Sequence, residues 1–159
     1  VLNKNELSSD YHSYTYMLEK HIVNPGGRSY EGYPDGSVKA ELSLASIRTS
    51  LAQIYSKENT PVLFEATDGD KSKIDIDKIS LSVMRGEEPV INLVNGIIEK
   101  FAVLVNNLAY SFFAQRIILH NLKFTDKQFE LLIALYSQRE QESVRVSQFE
   151  HPSFSQPSE

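Results

Sequence analysis

The chain contains no cysteine and no tryptophan. Without thiols it can form no disulfide, no thiolate zinc site and no thiol nucleophile. Positive charge is also scarce: 16 Lys and Arg stand against 21 Asp and Glu, giving a net charge of −5 and a pI near 5.4. The basic residues gather in no cluster of the kind that neutralises phosphates, which argues against a nucleic-acid surface. No apolar run approaches the ~20 residues of a membrane span. Residues 1–10, VLNKNELSSD, lack the apolar core of a cleavable signal. The four histidines, His12, His21, His120 and His151, show no metal-ligand spacing. A cytoplasmic chain with no cofactor and no membrane partner is the expectation.

What is present suits a globular chain: 159 residues, 41% hydrophobic and 23% charged, enough for one domain or one lobe of a larger protein. The first residue is Val1, and Val1-Leu2-Asn3-Lys4 reads like the tail of a hairpin strand. We therefore expect a fragment of a longer protein, with a lobe over residues 1–150 and a tail over 151–159.

Residues 1–24 alternate polar and aromatic positions and predict a strand or hairpin near the start, a loop, and a second extended piece over 16–24. Residues 25–37 hold four of the seven glycines and two of the six prolines, so they read as an irregular loop. A helix is predicted over 38–57, with Leu44, Ile47, Leu51 and Ile54 on one face and Asn59-Thr60-Pro61 ending it. After a polar loop at 68–72, Asp75 is placed to cap a short helix whose inward face is Ile76, Ile79 and Val83, and Gly86 to end it. Asp68-x-Asp70 and Asp75-x-Asp77 lack the rest of a calcium loop and read as solvated carboxylates.

The longest pattern runs over residues 86–112. Val90, Ile91, Val94, Ile97, Ile98, Phe101, Leu104, Val105, Leu108 and Phe112 recur at three- and four-residue steps, the stripe of a buried helix. Glu87, Glu88 and Pro89 suit its first turn. Arg116-Ile117-Ile118-Leu119-His120 predicts a strand covered on both faces. Thr125-x-x-Gln128 has the form of a capping box, opening a helix with Phe129, Leu132, Ile133 and Tyr136 inward. Residues 143–149 read as a further strand. Strand, helix, helix, strand, helix, strand is an α/β order.

Residues 86–121 resemble the ROK family of repressors, open reading frames and sugar kinases. Its "GD" turn, "LANLINLLNP" helix end and "IVLGG" strand correspond to Gly86-Glu87, Val105-Asn106-Asn107-Leu108-Ala109 and Ile117-Ile118-Leu119-His120-Asn121. Upstream, Asn24-Pro25-x-Gly27 stands where the family has Asp-Pro-x-Gly, and residues 40–47 resemble the helix start after its zinc loop. The resemblance covers residues 14–150. It implies the C-terminal lobe of an actin-like ATPase or ribonuclease-H-like α/β domain.

At the family's chemical motifs this sequence departs. The first two zinc cysteines fall on Tyr30 and Gly32, and Gly36-Ser37 replaces a Gly-Cys, so the resemblance carries no metal; Tyr30 and Tyr33 are expected to pack the loop instead, with stacking on a sugar face the alternative. The glycines that approach the nucleotide are His120-Asn121-Leu122. The sugar-contacting His and Glu fall near Lys20, His21 and Glu41, which are the candidate ligand residues, against a reading of His21 as an ordinary histidine and Glu41 as a first-turn carboxylate. No catalytic residue is assigned. The resemblance implies the effector-binding and dimerisation half of a sugar-responsive ROK-type transcriptional regulator. It would take a sugar or sugar phosphate, touch DNA only through a separate N-terminal part, and act as a homo-oligomer. Two alternatives are the C-terminal lobe of a glucokinase-like sugar kinase and a degenerate dimerisation scaffold.

Overall fold

A computed structural model describes residues 17–113, Ile117, Leu119 and residues 125–140. Six α-helices account for most of them: α1 (Val38–Leu42), α2 (Leu44–Ile54), α3 (Pro61–Ala66), α4 (Ile76–Met84), α5 (Glu88–Phe112) and α6 (Asp126–Glu140). One 3₁₀ turn, Lys71–Lys73, precedes α4.

The expected α/β, actin-like or ribonuclease-H-like architecture is corrected by this arrangement. Among the described residues there is no sheet, only two isolated antiparallel bridges, Ile22 with Ser37 and Tyr30 with Tyr33. The physical reason lies in what covers the apolar stripes. The spacings of three and four from Ile47 to Tyr136 make helical faces, and these are buried against one another rather than on a sheet. Helix α5 is the axis, packed by α1, α2, α4 and α6, while α3 lies on α4. Residues 17–19, expected to be extended, form a helical turn, with Lys20 N donating to Met17 O at 3.2 Å. Of the strand expected over 116–120, only Ile117 and Leu119 are described, and neither pairs in a ladder. The expected strands at 1–4 and 143–149, and the expected tail over 151–159, lie outside the described residues.

Local chemistry sets most helix ends. Ser37 accepts from Ala40 N at 3.4 Å to start α1. Ser43 then ends α1 and starts α2, extended at φ −68° and ψ 149°, with its hydroxyl on Ser46 N at 3.2 Å. The single helix expected over 38–57 is thus broken where a serine offers the backbone a competing local bond. Asn59-Thr60-Pro61, expected only to end a helix, also opens α3, because Pro61 occupies a first-turn site where no amide donor is needed. Asp75 caps α4 as expected, accepting from Lys78 N at 2.9 Å. The Thr125–Gln128 box forms in both directions: Thr125 N donates to Gln128 Oε1 at 3.1 Å, and Gln128 N to Thr125 Oγ1 at 3.4 Å.

The core joins Leu51 from α2, Leu63 from α3, Ile74, Ile79 from α4, Leu132 from α6, and Val90, Val94, Ile98 and Ala102 from α5. Three residues expected on apolar faces point out: Leu44, Ile76 and Phe112 are 37%, 47% and 70% exposed. Ile76 is the first residue of a two-turn helix, and Phe112 the last of α5, beyond the neighbours that cover the stripe.

Glu87 ties three helices together. It precedes α5, yet its buried carboxylate caps a different helix: Val62 N donates to Oε1 at 2.8 Å and Leu63 N to Oε2 at 3.2 Å. Ser82 Oγ of α4 also donates to Oε2. The first-turn amides of α3 have no partner within the helix, and a carboxylate there meets both their donors and the positive helix end. Among the described residues, no helix is long and apolar enough to cross a membrane.

Two substitutions on α5 separate packing from backbone preference. Ile98 is fully buried, so Ile98→Ala is expected to cost about 2–5 kcal/mol in urea unfolding. Gly96 has open space where a Cβ would sit, so Gly96→Ala is expected to stabilise by about 0.5–1 kcal/mol. Destabilisation by Gly96→Ala would contradict the helix placement.

Candidate functional site

The loop between residues 21 and 37 doubles back on itself. Val23 N and Asn24 N both donate to Gly36 O, at 2.9 and 3.1 Å, and Gly36 N donates to Arg28 O at 2.8 Å. Val38 N closes the base by donating to His21 O at 2.8 Å. Gly36 sits at φ +70°, and a Cβ there would fall 1.7 Å from Asn24 O, so only glycine fits.

Glu41 of α1 projects into this loop and is buried, with 3% of its surface exposed. Its Oε1 accepts from Asn24 Nδ2 at 3.0 Å and from Arg28 N at 2.7 Å. Its Oε2 pairs with Lys100 Nζ of α5 at 2.5 Å. A Cβ on Gly27 would fall 2.3 Å from Glu41 Oε1, which is why the loop can close so tightly over the carboxylate. Burial pushes the Glu41 carboxyl up, but the Lys100 ammonium, the Arg28 amide and the Asn24 amide outweigh it. The net result is a pKa below the ordinary 4.5, so the group stays ionised. The Arg28 guanidinium adds a second tie, donating to Ser46 O at 3.0 Å.

On the outer side of the loop, Glu19 links two partners. Lys39 Nζ donates to its Oε1 at 2.9 Å and Tyr33 OH to its Oε2 at 2.8 Å. These bonds, from Lys39 first and Tyr33 second, hold the Glu19 carboxyl below its ordinary range, while Glu19 raises Lys39. Lys39 Nζ also lies 5.7 Å from the centre of the Tyr33 ring. Tyr30 meets Tyr33 edge to face, with centroids 5.7 Å apart and planes at 81°.

Of the candidate ligand residues, the structure draws Glu41 and His21 to the base of one loop, through the His21 O to Val38 N bond. The donors that fill Glu41 are Asn24, Arg28 and Lys100, not Lys20 or His21. With a side chain 0% exposed, Glu41 acts here as a joint rather than an open contact. Lys20 is exposed and His21 half-buried. The expected packing of Tyr30 and Tyr33 against the lobe is met in part: they pack on each other, and Tyr30 remains 37% exposed. Sequence reasoning missed Lys100 and the Asn24 side chain. The signal for Lys100 was its place three residues after Ile97 and four before Leu104, a cation on the flank of an apolar stripe where a buried carboxylate can pair with it.

Family models, curated proteins and solved structures were all compared with this chain, and none matches.

Removing one member of the Glu41 joint leaves the other buried or half-buried without its partner. Lys100→Met is expected to destabilise by on the order of 3 kcal/mol in urea unfolding at neutral pH. Glu41→Gln adds a pH signature. Because the folded carboxyl titrates below 4.5, its contribution is complete above that value and is lost as pH falls through the folded pKa. The stability gap between native protein and Glu41→Gln is expected to narrow from about pH 5 to about pH 3. A gap that is flat or widens over that range would show that Glu41 is not held as a carboxylate.

Proposed function

We propose that this chain is a non-catalytic, effector-binding and dimerising module, the ligand-responsive half of a sugar-responsive transcriptional regulator. The ROK resemblance enters through its residue motifs alone, since the α/β lobe it implies is not the fold observed among the described residues. DNA contact is assigned to a separate N-terminal part. What supports the reading is the Glu41 joint. One carboxylate fastens the glycine-rich loop of residues 24–36 to Lys100, in the middle of the helix around which the other helices pack. A ligand seated on that loop therefore acts on α5 through a short, charged linkage. Such a linkage turns occupancy into a shift between arrangements when the ligand prefers one of them.

The test is a thermal-shift panel of neutral sugars, sugar phosphates and ATP with magnesium, run on the full chain. A ligand of the native state raises the melting temperature by mass action. Stabilisation by a sugar or sugar phosphate in the absence of ATP is expected. Stabilisation by ATP with magnesium would replace the regulator with a kinase, and no shift across the panel would leave a dimerisation scaffold.

A further inference from the structure

Glu19, Tyr30, Tyr33 and Lys39 form a cluster on the loop's outer face that the Glu41 joint does not use. Tyr30 and Tyr33 are the first and last residues of one turn, closed by Tyr33 N donating to Tyr30 O at 2.9 Å. The turn sets the two rings edge to face and leaves Tyr30 37% exposed. Beside them, the Glu19 carboxylate accepts one bond on each oxygen, from Lys39 and Tyr33. Each oxygen keeps a second lone pair, and the Lys39 ammonium has donors beyond the one given to Glu19. The side chains of Lys39 and Glu19 are 29% and 26% exposed, so these groups are held in place yet reachable.

From this juxtaposition we infer that the Tyr30–Tyr33 turn, with Glu19 and Lys39, is a binding platform for a neutral, unphosphorylated hexopyranoside. The apolar C–H face of a pyranose stacks on an aromatic ring, while its hydroxyls need both acceptors and donors at the ring's edge. Tyr30 supplies the first, and the Glu19–Lys39 pair the second, already fixed in orientation by Tyr33 OH. Charge decides the class of sugar. Lys39 is neutralised by Glu19, so the cluster has no surplus cation for a phosphate, and the carboxylate repels one. The inference rests on the sugar-binding reading above and narrows it to one site and one ligand class.

Saturation-transfer NMR on the full chain tests it, with the methyl glycosides of glucose, galactose, mannose and N-acetylglucosamine, and glucose 6-phosphate as the anionic comparison. At least one methyl glycoside is expected to receive saturation at its ring C–H protons. Tyr30→Ala should weaken that glycoside on the order of tenfold, and Tyr30→Phe, which keeps the ring, should leave it bound. Glu19→Gln should weaken it several-fold. Tyr30 is exposed, so the melting temperature of Tyr30→Ala should stay near that of the native protein, separating lost binding from lost folding. Glycoside binding untouched by Tyr30→Ala would overturn the platform and leave the sugar-binding reading standing. Binding of glucose 6-phosphate in preference to every neutral glycoside would overturn the ligand class alone. No response from any sugar would overturn both.

Discussion

The ion pair between Glu41 and Lys100 is the constraint on which the loop, α1 and the middle of α5 all depend. Taking a carboxylate out of water costs several kcal/mol unless it is paired and hydrogen-bonded. Here three donors from three places meet that cost: the Asn24 side chain, the Arg28 backbone and the Lys100 ammonium. Each demand propagates. The loop must bend so that Arg28 N faces inward, Gly27 must lack a side chain, and Gly36 must take a backbone angle that brings it under Asn24. A glycine-rich segment that looks loose in sequence is thereby held in one shape.

Glu87 solves a related problem at the far end of the same helix. Its carboxylate serves the open amides of α3 and the hydroxyl of Ser82, so the start of α5 is anchored to α3 and α4. The apolar core lies between these two anchors, with Leu51, Leu63, Ile79 and Leu132 gathered on the Val90, Val94, Ile98 and Ala102 face. Tyr55 and Thr67 add a buried pair of hydroxyls 2.5 Å apart, which settles the residues just after α2 and α3 against each other. Apolar burial supplies the stability, and the charged anchors join segments far apart along the chain.

For function, the important separation is between the inner and outer faces of the loop. Inside, Glu41 is filled by protein donors. Outside, Glu19, Tyr33 and Lys39 are bonded to one another but reachable by solvent, with the Tyr30 ring beside them. The two faces are carried by the same short backbone, which the bonds of Val23, Asn24 and Gly36 fold back on itself.

Much of the local structure was legible in the residues themselves. The three- and four-residue stripe of α5, the Asp75 cap and the Thr125–Gln128 box depend on neighbours a few positions away, and each appears in the structure. So does the turn-rich character of residues 25–37. What the sequence by itself determined was therefore the helical character of residues 76–84, 88–112 and 126–140, with several of their caps and their apolar faces. The helix over 61–66, the turn at 17–19 and the break at Ser43 were not read from it. The tertiary structure decided the rest. That the stripes would meet other helices rather than a sheet depends on which surfaces come together, and short-range periodicity carries no record of that. That Glu41 would be a buried joint and not a first-turn surface carboxylate depends on Lys100, 59 residues away along the chain. Glu87 could be read as the start of α5, but its caps on Val62 and Leu63 arise only when α3 is laid across it. Charge pairing acts through space, and its partners are chosen by packing rather than by distance along the sequence.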